Sequence, residues 1–145
     1  MHPYPHHYSV QARGGAEGTV SLGSAGLPAL ESTPPPEFDG PPGYWSPETL
    51  LLAAAADCYL LSFRAVARAS KLAWTDLKVD VQGVLDRIEG VTRFTELRFV
   101  ATLRIPAADQ EHLAGNVLEK AKKVCLITNS LTARSELKPT VLVGG

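Results

Sequence analysis

Cysteine is nearly absent from this chain, with two among 145 residues. That is too few for the disulfide framework of a small secreted domain. Neither sign of charge is in excess: 14 Lys and Arg stand against 15 Asp and Glu, a formal net charge of −1. The usual electrostatic reason to expect nucleic acid or an anionic membrane as a partner is therefore missing. No basic-then-apolar leader is readable, and the most apolar run, Leu50 to Leu61, is interrupted by Asp57 and short for a bilayer span. The chain also lacks a phosphate-cradling glycine loop, a nucleophile elbow and a metalloprotease helix motif. The expectation is a soluble, cytoplasmic chain with no nucleic-acid or membrane partner.

What is present suits one globular domain spanning residues 1–145. Hydrophobic residues make up 45% and charged residues 20%, which is ordinary globular usage. Composition changes near residue 46. Most of the prolines and 7 of the 12 glycines fall within residues 1–43, where Arg13 is the only Arg or Lys. Residues 1–45 therefore read as an N-terminal β-meander followed by a Pro/Gly-rich loop. Tyr8, Val10 and Ala12 alternate, as do Val20 and Leu22, with a Gly14–Gly18 turn between them, and Leu27 to Ser32 suits a third strand. Phe38, Tyr44 and Trp45 in the stiff loop are costly to leave in water, so an apolar neighbour is expected for them.

Residues 46–145 read as helix, hairpin, helix and final strand. Ser46 is a good N-cap, Pro47 suits the first helical position, and Glu48 complements the positive helix end. The stretch 50–61 is apolar almost all round, the mark of a helix buried on every side. A chain this short has little material to surround such a helix, so a second subunit is expected to supply part of the cover. Residues 77–105 alternate apolar and polar across a Glu89–Gly90 turn, which predicts an antiparallel hairpin. A second helix is predicted from about Asp109 to Val124, with an apolar stripe of Leu113, Val117, Ala121 and Val124. Val141 to Val143 reads as an edge strand beside Pro139.

Two cysteines carry what chemistry there is. Taken alone, Cys58 in mid-helix and Cys125 at a helix end both read as small buried hydrophobes. The helical neighbours of Cys58, which are Ala54, Ala55, Leu61 and Ser62, include no cation. A reactive thiolate at Cys58 needs a charge brought from elsewhere in the fold. His2, His6 and His7 lack Cys or carboxylate partners at ligand spacing, so they read as a solvated tail rather than a metal site.

Ser46-Pro47-Glu48, then Cys58, then Phe63-Arg64-Ala65 and Ala69-Ser70-Lys71 resemble the OsmC/Ohr family, named for osmotically inducible protein C and organic hydroperoxide resistance protein. Leu85-Asp86-Arg87, Arg93-Phe94-Thr95, Glu119-Lys120-Ala121 and Val124-Cys125 with Asn129-Ser130 continue the likeness, over about residues 44–143. The resemblance implies an α+β fold: an intertwined homodimer with antiparallel sheets packed around a central buried helix. It also implies a cysteine-based organic hydroperoxide reductase without metal, flavin or haem. Cys58 matches the peroxidatic cysteine and Cys125 the resolving one, with a dithiol such as a lipoylated protein as reductant. Glu48 matches the family's active-site glutamate, which partners an arginine that stabilises the thiolate.

That arginine sits in an N-terminal Gly-Gly-Arg turn in the family's organic-peroxide branch. Here Ala16 falls at its place, and Arg13 is the only local substitute. Ten residues of helix rise ~15 Å, so Glu48 cannot reach Cys58 along one straight helix. A bend or a second subunit is required if both serve one site. Asp57 would oppose ionisation of Cys58 if the two share a face. The competing reading is a non-catalytic dimer of the same fold that senses oxidation or binds an apolar ligand.

Overall fold

In the computed structural model, which describes residues 1–144, the chain divides into a unit of residues 1–51 and a second beginning at Leu52. The first unit holds three short strands, β1 (Gln11–Arg13), β2 (Val20–Gly23) and β3 (Leu30–Ser32), in an antiparallel meander of that order. Only three residues of β1 enter the ladder, so the expected alternation from Tyr8 begins later, at Gln11 opposite Gly23. Tyr8 and Val10 remain exposed. Across the meander the Thr19 hydroxyl donates to Glu31 Oε1 at 3.1 Å.

Beyond β3 the Thr33 amide donates to the Trp45 carbonyl at 2.9 Å, which ties the two ends of the Pro-rich loop together. The apolar neighbour expected for the loop's aromatic side chains is not supplied by this chain: Phe38, Tyr44 and Trp45 are 53%, 49% and 47% exposed. Helix α1 (Pro47–Ala69) then starts as its first residues predict. The Ser46 Oγ accepts from the Thr49 amide at 3.2 Å, and Thr49 Oγ1 accepts from the Ser46 amide at 2.9 Å. Two orphan amides of the helix start are thus satisfied reciprocally.

The second unit is built on a long hairpin, β4 (Asp76–Ile88) and β5 (Val91–Ile105). Glu89 and Gly90 make its two-residue turn with φ of 51° and 80°, the doubly left-handed geometry that matches strand twist. The hairpin register slips at Val84/Leu85, where Glu96 and Phe94 are the partners and Thr95 is the extra residue of a β-bulge. Thr95 Oγ1 donates to the Val84 carbonyl at 3.3 Å. The bulge swings Phe94 rather than Thr95 toward the core. Gly83 makes room for it: a Cβ there would lie 2.7 Å from the Phe94 ring and 2.8 Å from Leu52 Cδ2.

Helix α2 (Glu111–Val124) follows a single 3-10 turn, then a one-turn helix α3 (Leu126–Asn129) leads to β6 (Arg134–Val143). The sheet has the order β4-β5-β6, with β6 at the expected edge. It is mixed rather than antiparallel as predicted, because β6 runs parallel to β5. The helical crossover through α2 and α3 is the connection that a parallel neighbour requires.

One face of α1 (Ala55, Tyr59, Phe63, Val66 and Ala67) joins the inward residues of β5 and one stripe of α2 in the core of this unit. The expectation of a helix covered on all sides is not met within the chain, since Leu61 is 50% exposed and Ala54 lies open. By length and composition α1 is also long enough to cross a membrane, contrary to the reading from its most apolar run; here its buried face forms core. The buried stripe of α2 shares Val117 and Ala121 with the prediction and differs in the rest. Ala114, Val117, Leu118 and Ala121 are buried, whereas Val124 is exposed and Cys125 takes the inward place.

Candidate active site

Cys125 closes α2 and opens α3 with extended backbone dihedrals (φ −65°, ψ 105°), and it is buried. Its carbonyl accepts from Thr128 Oγ1 at 3.1 Å and from the Asn129 amide at 3.0 Å. Burial pushes the Cys125 thiol up, the polar groups of Thr128 oppose this, and the nearby Cys58 thiol adds to the rise. The two cysteines, distant in sequence, are brought near one another at the edge of the same core cluster, and both are free thiols.

Cys58 is half-buried and opens to the surface. Its sulfur lies 4.0 Å from Ser62 Oγ, one helical turn on. Around it is an open depression of about 480 Å³ lined by Ala54, Asp57, Leu61, Ser62, Ala65 and the α3 residues Leu126 and Ile127. The lining is apolar apart from Asp57, Ser62 and the thiol itself, and among the described residues it contains no lysine or arginine. Asp57 thus borders the same depression as Cys58.

The other two expected site residues belong to the first unit. Arg13 is exposed on β1 opposite Ser21. Glu48 stands in the first turn of α1 with Oε1 buried and, among the described residues, without a hydrogen-bond partner. A buried carboxylate oxygen without a donor is costly. No three His, Cys, Asp or Glu side chains are grouped to hold a metal ion among the described residues.

Sequence reasoning passed over Tyr59. Its ring packs against Phe99 with centroids 5.6 Å apart, and its hydroxyl donates to the Leu118 carbonyl at 2.9 Å. Burial, with the charges of Glu119 and Cys125, holds that hydroxyl in its protonated form. A lone tyrosine on an otherwise apolar helix face was the available signal, because a buried phenol requires a partner.

A family model described as OsmC-like protein matches residues 40–140. The chain belongs to that family. Among curated relatives, an uncharacterized protein of Bacillus subtilis (strain 168), YmaD, is 29% identical over 146 residues, covering 97% of both chains. An OsmC-like protein of unknown function from Vibrio cholerae superimposes with a TM-score of 0.85 at 14% identity, covering 94% of this chain and 100% of that one. An organic hydroperoxide resistance protein from Elizabethkingia anophelis gives 0.76 at 23% identity, covering 95% and 96%. The organic hydroperoxide resistance protein OsmC of Legionella pneumophila gives 0.73 at 26% identity, covering 96% and 98%. The fold of this chain is thus the OsmC-like α+β fold.

Proposed function

We propose that this OsmC-like protein reduces organic hydroperoxides to alcohols with Cys58 and Cys125, as a cytoplasmic homodimer. The observation that carries the reading is the proximity of two free thiols, one half-buried and one buried. The Cys58 thiolate attacks the distal peroxide oxygen, the O–O bond breaks, and the departing alkoxide takes a proton to leave as alcohol. Cys58 becomes a sulfenic acid. The Cys125 sulfur then attacks the Cys58 sulfur and water departs, leaving a disulfide. A dithiol, such as that of a lipoylated protein, returns both thiols by exchange and is itself oxidised.

The apolar lining beside Cys58 suits the alkyl part of such a substrate. Glu48 with its unpartnered oxygen suits a residue that receives a guanidinium, and Arg13 is the candidate donor. The open face of α1 supports assembly with a second copy. Membership of a family that includes organic hydroperoxide resistance proteins agrees with the reading.

One observation favours the competing reading, a redox-sensing or apolar-ligand-binding dimer: among the described residues no cation lines the Cys58 depression. Thiol counting on denatured protein separates the two. One equivalent of an alkyl hydroperoxide should remove both thiols within seconds and lower the subunit mass by two hydrogens. Survival of both thiols would overturn the peroxidase reading.

A further inference from the structure

We propose that Tyr59 is a positioning residue for the cysteine pair: its hydroxyl locks α2 to α1 so that Cys125 is held at Cys58. Tyr59 directly follows Cys58 in α1, so whatever fixes its ring fixes the helix at the thiol. The ring is almost fully buried (1% exposed) against Phe99 of β5, which leaves the hydroxyl one partner, the Leu118 carbonyl at 2.9 Å. Leu118 is fully buried on the inward stripe of α2, and Cys125 ends that stripe seven residues on, ~10 Å along the axis.

Apolar packing alone sets the distance between two helices but resists sliding along the axis weakly, whereas a directional hydrogen bond specifies one register. Within the second unit this is the one side-chain hydrogen bond found between α1 and α2 among the described residues. A slide of about one residue's rise would move one sulfur past the other by ~1.5 Å, a shift comparable with the ~2.05 Å bond that has to form. The tether therefore raises the effective concentration of one thiol at the other, a property of the pair that does not depend on which oxidant acts.

The inference rests on the Cys58–Cys125 disulfide of the proposed cycle but not on peroxide as its oxidant, and glutathione buffers test it separately. Wild type, Tyr59→Phe and the core control Phe63→Leu are equilibrated in mixtures of reduced and oxidised glutathione, and the oxidised fraction is counted by thiol trapping. Urea unfolding of the reduced proteins is measured alongside. The expected result is a drop of about three- to tenfold in effective concentration for Tyr59→Phe, the scale of one net hydrogen bond. Phe63→Leu should lose stability with its effective concentration unchanged. An unchanged effective concentration in Tyr59→Phe, or an equal drop in Phe63→Leu, would overturn the proposal, as would a wild-type pair that glutathione disulfide cannot oxidise. Failure of peroxide to oxidise a pair that glutathione does oxidise would instead count against the peroxidase reading alone.

Discussion

The Cys58 sulfur and the Ser62 hydroxyl lie 4.0 Å apart on one face of α1. The serine hydroxyl is placed to donate to that sulfur, and a charged sulfur accepts more strongly than a neutral one. Ser62→Ala should slow alkylation of Cys58 by iodoacetamide at neutral pH about two- to fivefold, the size of a weak hydrogen bond. The measurement is best made in a Cys125→Ser background, so that one thiol reports. An unchanged rate would mean the serine only fills space.

Glu48 distinguishes an electrostatic role from a capping one. As a helix-start carboxylate alone it contributes about 0.3–1 kcal/mol, and Glu48→Gln should then shift the unfolding midpoint and nothing else. As the partner of a thiolate-stabilising arginine, its replacement should slow peroxide-dependent loss of thiols about tenfold or more, the scale of a broken charge-assisted hydrogen bond. Stopped-flow thiol loss for Glu48→Gln and Arg13→Ala, read beside their urea curves, decides between the roles.

Stability of the reduced protein should fall at alkaline pH. The folded Cys125 thiol ionises above its ordinary range because it is buried, and the Tyr59 hydroxyl is raised for the same first cause. Below the unfolded-state values, roughly 8.5 for the thiol and 10 for the phenol, both groups are protonated in both states and their contribution is fully present. As pH rises past those values the unfolded chain ionises first, and the contribution is lost through the higher folded values. Urea midpoints between pH 7 and 11 should show a fall that is smaller in Cys125→Ala below pH 10. Equal pH dependence in both proteins would contradict the assignment.

Gly83 is a packing position. Any side chain there meets the Phe94 ring and Leu52. Gly83→Val should cost about 1–3 kcal/mol by overpacking, despite the better strand propensity of valine. The paired change Gly83→Val with Phe94→Leu should recover part of the loss, and additive effects in denaturant unfolding would argue against the contact.

Local chemistry alone determined the helix start, the hairpin and the edge strand. Ser46, Pro47 and the Glu89–Gly90 turn act within a few residues, so their signals need no partner. The period-2 runs of β4 and β5 were equally legible, because alternation along a strand is set by the pleat. Cys58 and Cys125 could be singled out by their scarcity and by family likeness. Their proximity could not be read from the residues, since it depends on how α2 and the residue just past it pack against the rest of the unit. The predicted stripe Leu113, Val117, Ala121 and Val124 and the buried set Ala114, Val117, Leu118 and Ala121 share two residues, and both are apolar. Packing in the core of the second unit chose the buried set, and the extended backbone at Cys125, just past the helix, carries that side chain inward. The parallel run of β6, the bulge that turns in Phe94 and the single-faced burial of α1 were likewise settled by tertiary structure, because each depends on a neighbour far away in the chain.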